Sequence, residues 1–204
     1  YLCVAGGFDT PEVLGSRSAL EAVRAGETLT CAASRTESRR LPFCVGRPNP
    51  LSPSRTAKGD RGLGPLLVLD GPQRDWFTDD AFFAQTYEVS AASNRMGLRL
   101  KGAPLARKSG ELVSEAVAPG AVQITNDGLP IVLGVDGQTI GGYPKVAHVI
   151  RADLDALAQL RPGERVRFVR VTPEEAETAA RERARFLREW LTRLRIAERR
   201  PVFV

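Results

Sequence analysis

Asp136-Gly137-Gln138-Thr139-Ile140-Gly141-Gly142-Tyr143-Pro144-Lys145 lies between two apolar runs, Ile131-Val132-Leu133-Gly134-Val135 and Val146-Ala147-His148-Val149-Ile150. Both runs read as strands, and Asp-Gly directly after the first is a turn signal. The ten residues between them are too polar and too flexible for a plain hairpin. Gly141 and Gly142 let a backbone approach a ligand closely, and Pro144 fixes the exit into the next strand. Gln138, Thr139, Tyr143 and Lys145 supply donors and acceptors of different reach. Two readings are open on these residues alone: an ornate turn, or a ligand loop carried between two strands of a sheet.

Working outward, strands are expected at short intervals with Gly/Pro turns between them. They are Pro65 to Leu69, Thr86 to Ser90, Gly97 to Lys101, Ala121 to Thr125, Ile131 to Val135, Lys145 to Ala152 and Arg165 to Val171. In Ser93-Asn94-Arg95-Met96-Gly97-Leu98-Arg99-Leu100, the alternation of Met96, Leu98 and Leu100 aims these side chains at a core. Short helices are expected at Thr10 to Leu14, at Asp79 to Phe83 with Thr78 as cap, and at Asp153 to Leu160. Frequent strands with few helices make the chain mainly β, a barrel or a sandwich. The tail differs in kind. Thr172-Pro173-Glu174-Glu175 is a capping box, and Phe186, Leu187, Trp190, Leu191 and Leu194 recur at helical spacing, so a C-terminal α-helix of about 25 residues should lay this stripe on its own barrel.

Composition removes several classes of function. The net charge is +5, and the whole excess arises between Arg35 and Arg61, where Arg and Lys outnumber acids by seven to two. That stretch also carries Pro42, Pro48, Pro50 and Pro53 and only Phe43 as an aromatic, so it reads as a linker rather than a nucleic-acid surface. No apolar run is long enough to cross a bilayer. Cys3, Cys31 and Cys44 are odd in number and without metal-ligand spacing, which points to a reducing cytoplasm and no metal site. The single histidine, His148, sits inside a predicted strand, which leaves no basis for a Ser-His-Asp triad. Gly102-Ala103-Pro104-Leu105-Ala106-Arg107-Lys108-Ser109 imitates a phosphate loop but has Arg107 where a second glycine is required.

What is left is polar recognition without an obvious nucleophile. Asn94, Arg95, Gln138, Thr139, Tyr143 and Lys145, with backbone amides at Gly141 and Gly142, suit a planar amide or lactam. In this reading Arg95 and Lys145 polarise the carbonyl oxygen, and Gln138 and Asn94 hold the N–H edge. Lys145, Tyr143 and Arg95 are the candidate catalytic residues.

The runs SNRMGLRLKG from Ser93, SEAVAPGAVQIT from Ser114, GLPIVLGVDGQTIGGYPKVAHVIRADL from Gly128 and LRPGERVRF from Leu160, with YLCVAGGFDTPEVLGSRS at the start, together resemble one family. It is the second subunit of the allophanate hydrolase-like proteins, with the C component of bacterial 5-oxoprolinase, the regulator KipA and the carboxyltransferase part of urea carboxylase. The resemblance adds Ser114 and Glu115 to the candidate substrate-binding residues, and a Gly-rich segment expected after Ser16-Arg17-Ser18 is replaced here by Ala19-Leu20-Glu21-Ala22-Val23. It implies a cyclophilin-like β-barrel with short helices. Residues 1–33 are then the remnant of a first barrel-like subdomain, 34–64 a Pro/Arg-rich linker, 65–172 the second barrel and 173–204 the amphipathic helix. It also implies roughly a hundred residues ahead of Tyr1, the size of one small domain.

The implied function is a subunit of an ATP-dependent 5-oxoprolinase, inactive without a KipI or allophanate hydrolase subunit 1-like partner and a LamB/YcsF-like subunit, with ATP acting through the assembled complex. The alternatives are a biotin-dependent carboxyltransferase acting on urea or a similar amide, and a KipA-like regulator that binds a kinase inhibitor. Met96 is followed by Gly97 rather than Lys, so biotin belongs on a separate carrier.

Overall fold

In the computed structural model, the described residues are 8–12, 24, 26–31, 65–77, 80–108 and 110–198. The chain divides into two compact units, Tyr1–Val45 and Gly46–Val204. In the first unit, Phe8 and Cys31 form an antiparallel bridge, and Asp9 N–H donates to Thr30 O at 2.8 Å. Thr10 to Glu12 carry no helix, and Val13 and Leu14, the rest of the expected helical turn, lie outside the described residues, as do Ser16 to Ser18 and the expected 34–64 linker. Cys31 is a free, exposed thiol.

Among the described residues the second unit has ten strands: β1 (Leu66–Asp70), β2 (Tyr87–Val89), β3 (Gly97–Lys101), β4 (Glu115–Ala116), β5 (Ala121–Ile124), β6 (Pro130–Leu133), β7 (Ile140–Gly141), β8 (Lys145–Val149), β9 (Arg165–Val166) and β10 (Phe168–Arg170). Eight of them form one sheet in the order β10-β1-β8-β5-β6-β3-β2-β9. The two edges, β9 and β10, are neighbours in sequence. Only Arg167 separates them, and its carbonyl accepts Leu66 N–H at 2.8 Å. One kinked segment thus pairs with β2 on one side and, in parallel, with β1 on the other, and the sheet curls into a nearly closed barrel. The mainly β architecture read from the strand spacing is the one observed.

Inside, Phe82, Tyr87 and Phe168 pack ring against ring, with centroids 4.8 to 5.9 Å apart, around buried Leu66, Val68, Val122, Val132, Val146 and Val149. Burial raises the Tyr87 phenol pKa. Two local expectations are corrected. Met96 is 52% exposed while Leu98 and Leu100 are buried, because the strand begins at Gly97 and Met96 belongs to the preceding turn. Val135 is in a turn and exposed, because Gly137 N–H returns to Gly134 O and ends β6 at Leu133. Gly134 itself is pressed against the chain: a β-carbon there would lie 2.2 Å from Arg95 O.

Helix α1 is Ala81–Ala84: Asp80, expected inside it, precedes it, and it runs one residue past Phe83, while Asp79 and the expected cap Thr78 lie outside the described residues. Asp80 stands at its N-cap without a capping bond, its carboxylate being drawn instead to Arg74 and Arg170, and these contacts hold its pKa down. Arg170 also pairs with Asp70 at 2.8 Å and lies over the Phe83 ring at 4.4 Å. The segment expected as a helix over Asp153 to Leu160 is a 3-10 turn, Arg151–Asp153, running into α2 (Leu154–Leu157). The buried Asp153 carboxylate accepts Leu67 N–H at 2.8 Å and ties this turn to β1.

Helix α3 (Pro173–Glu198) starts at a capping box: Glu175 N–H donates to Thr172 Oγ1 at 3.2 Å, and Thr172 N–H to Glu175 Oε2 at 2.8 Å. Its tightest seat lies N-terminal to the expected stripe: Ala176 and Ala179 pack on Leu67, Ile150 and Ala152, whereas Phe186 and Trp190 are half-buried and Leu187 and Leu191 are exposed. Small residues let the helix axis come close to β1, and the larger side chains lie further along, beyond that contact. No helix among the described residues is long and apolar enough to cross a membrane.

Candidate functional site

The site forms where β8 begins. Gly71, just after β1, is pressed against this strand: its N–H donates to Val146 O at 3.0 Å, and a β-carbon on it would lie 2.2 Å from Lys145 O. Only glycine fits so close an approach. The following turn carries Gln73 to the start of β8, where its Oε1 accepts Lys145 N–H at 3.0 Å and its Nε2 donates to Glu115 Oε1 at 2.7 Å. Lys145 Nζ closes the triangle on the same Glu115 oxygen. Lys145, the last residue of the polar stretch, is only 6% exposed, because it is also the first residue of β8 and enters the sheet there.

Glu115 reaches Lys145 from a second, two-stranded sheet that the sequence did not announce. In it β4 pairs with β7, Glu115 standing opposite Gly141. This ribbon crosses above Gln123, which faces Lys145 across the β5–β8 ladder at a register shift. Gln123 is 2% exposed. Its Oε1 accepts a long bond from Gln138 Nε2 at 3.4 Å, and its Nε2 has no partner. A β-carbon on Gly141 would lie 2.5 Å from that nitrogen, so the absence of a side chain at Gly141 is what admits the Gln123 amide beneath the ribbon.

The ribbon therefore brings together Lys145, Glu115, Gly141 and Gln138 from the candidate residues, with Gln73 and Gln123, which sequence reasoning missed. A glutamine inside Ala121-Val122-Gln123-Ile124, a strand with every residue buried, was the available signal for Gln123. Gly142 backs onto Ser114, whose Oγ would be 3.3 Å from a β-carbon there, and Thr139 O accepts Val117 N–H at 2.9 Å while its own side chain is exposed. Asn94 and Arg95 are placed in the turn before β3. Asn94 Oδ1 accepts Met96 N–H at 2.9 Å, and Arg95 pairs with Asp136 at 3.1 Å.

Hydrogen bonds from Lys145 and then Gln73, with the Lys145 charge behind them, hold the Glu115 carboxyl below the usual carboxylate range. The set that results is a buried ammonium, an ionised carboxylate and a glutamine N–H with nothing to bond. Donors of this kind match a carbonyl oxygen and the carboxylate matches an N–H, which together are the two edges of an amide.

Just before Lys145 in sequence, Gly142 and Tyr143 line a cleft of about 420 Å³ together with Arg107, Gly110, Glu111, Leu112 and Asn126. The loop forming its wall is pinned by Leu105 N–H to Gly128 O at 2.9 Å and Lys108 N–H to Trp76 O at 2.8 Å. Among the described residues no cluster of three or more His, Cys, Asp or Glu could hold a metal ion.

Residues 1–170 match the carboxyltransferase domain, subdomain A and B. The chain is 38% identical over 201 residues to the C component of 5-oxoprolinase from Escherichia coli K12, covering 95% of this chain and 63% of that protein. It is 32% identical over 197 residues to the C component of 5-oxoprolinase from Haemophilus influenzae, covering 92% and 60%. The crystal structure of the K. lactis urea amidolyase superposes with a TM-score of 0.65 at 25% identity, over 88% of this chain and 12% of that one. The chain thus spans about three fifths of the length of the two 5-oxoprolinase components it matches.

Proposed function

Because the chain belongs to the family of the carboxyltransferase domain, subdomain A and B, we propose that it is part of an ATP-dependent 5-oxoprolinase and acts on a lactam only when assembled with partner subunits. The observation that carries this reading is the buried Lys145–Glu115 pair with Gln73 and the unpartnered Gln123 amide beside it. A buried ammonium, with an unpartnered amide N–H opposite it in the β5–β8 ladder, favours a carbonyl oxygen gaining negative charge, and Glu115 favours the adjoining N–H. In this reading Lys145 and Gln123 orient and polarise the carbonyl, Glu115 holds the N–H edge, and Gln73 positions both ends of the ion pair.

ATP belongs with the partner subunits in this proposal. The stretch from Gly102 carries Arg107 in place of the second glycine of a phosphate loop, and its backbone N–H groups at Leu105 and Lys108 are committed to Gly128 and Trp76. A KipI-like and a LamB/YcsF-like protein are the partners to reconstitute, in a cytoplasmic setting. A second reading, carboxyl transfer from carboxybiotin to urea or a similar amide, is favoured by the likeness to the K. lactis urea amidolyase. There too Lys145 and Gln123 face the carbonyl, and biotin arrives on another chain.

The test is 5-oxoproline-dependent ATP hydrolysis by the reconstituted complex with Lys145→Met, a variant that keeps the stem's volume. We expect kcat to fall on the order of a hundredfold, as loss of one donor to a developing oxyanion does. Unchanged kcat would reduce the Lys145–Glu115 pair to a structural ion pair.

A further inference from the structure

We propose that Arg107 is a specificity residue that receives a ligand carboxylate in the cleft beside Tyr143, so that the ligand is a small lactam or amide carrying an acid group. This rests on the amide-directed reading of the neighbouring Lys145 site and adds the charge of the molecule that site takes. A cleft of about 420 Å³ is of the size that encloses a small molecule. Arg107 is partly buried in its wall, and Nη2 donates to Asn126 Oδ1 at 3.0 Å. That bond fixes the plane of the guanidinium while committing one of its five N–H donors, which leaves the fork for a planar anion.

Glu111 lines the same cleft. A carboxylate there opposes a second negative charge placed against it and accepts N–H groups instead. A ligand acid entering this cleft is therefore steered to Arg107 and away from Glu111, while the lactam N–H stays with Glu115. A lactam acid such as 5-oxoproline has both groups. Urea has no acid group and offers Arg107 only a neutral carbonyl oxygen, so the same guanidinium also favours the lactam acid over urea, a choice the Lys145 site does not make.

Affinities of the reconstituted complex for 5-oxoproline and for 2-pyrrolidinone, the same ring without its acid, test this by calorimetry. Arg107→Ala should weaken 5-oxoproline about ten- to a hundredfold, the usual worth of a charge-assisted fork. It should leave 2-pyrrolidinone unchanged, and Arg107→Lys should restore part of the difference. Equal weakening of both ligands would assign Arg107 to holding the cleft wall through Asn126, and no weakening of either would remove it from the site; each result overturns the proposal. An inactive Lys145→Met complex together with an Arg107→Ala complex that binds 5-oxoproline as the parent does would overturn this inference alone, whereas full turnover by Lys145→Met strikes the functional reading beneath it.

Discussion

Gln73 grips Lys145 from both ends: its Oε1 takes the Lys145 backbone N–H at 3.0 Å, and its Nε2 holds, at 2.7 Å, the Glu115 oxygen that pairs with Lys145 Nζ. One amide thereby satisfies a buried main-chain donor and steadies an ion pair on another sheet. Gln73→Leu removes both bonds and leaves the Lys145 N–H buried without an acceptor, which should cost about 1–3 kcal/mol in urea unfolding. Gln73→Glu keeps the acceptor but sets a second carboxylate against Glu115. Its penalty should shrink as pH is lowered and one of the two acids takes a proton. Equal stability of Gln73→Leu and the parent would mean that water replaces the amide at no cost.

The Glu115 carboxyl offers a pH test of the same triangle. Its folded pKa is held below the ordinary 4.5 by Lys145 and Gln73, so the unfolded chain takes up this proton first as pH falls. The stabilising contribution is complete above the unfolded value and is lost as pH drops through the depressed folded one. Asp80, Asp127 and Glu174 are lowered as well and add their own slope. Glu115→Gln should therefore show a melting temperature that falls less steeply than the parent's below about pH 5, with a residual slope from the other three. Parallel curves for parent and variant would show that the ion pair contributes no stability.

The strands of the barrel were legible because a half-buried strand repeats every two residues, and Leu98 and Leu100 obey that rule. The β4–β7 ribbon was not, because two residues per strand are too few to show a period, and Glu115-Ala116 and Ile140-Gly141 carry no common pattern. The site suffered accordingly. Lys145, Gln138 and Gly141 were proposed from local chemistry and meet at the ribbon, but Gln73 lies 72 residues from Lys145 and the Gly71 turn brings it there. Asn94 and Arg95 show the reverse. Their residue types suit an amide, yet Asn94 is engaged by the Met96 N–H, as short polar side chains in turns commonly are, and Arg95 pairs with Asp136.

The C-terminal helix separates the residues that pack from those that merely repeat. Ala179 is 0% exposed against Leu67, Ile150 and Ala152, while Leu191 is 45% exposed although it belongs to the clearer apolar stripe. The close seat at Ala179 has no room for a branched side chain, so Ala179→Leu should overpack it and cost about 1–3 kcal/mol. Leu191→Ala removes more apolar volume, yet little of it is shielded from water by the barrel, and its cost in the isolated chain should stay within about 0.5 kcal/mol. Urea unfolding of the two variants beside the parent decides between the two halves of the helix. If Leu191→Ala were the more damaging, α3 would be held by its stripe, and the alanine seat on β1 would be incidental to its docking.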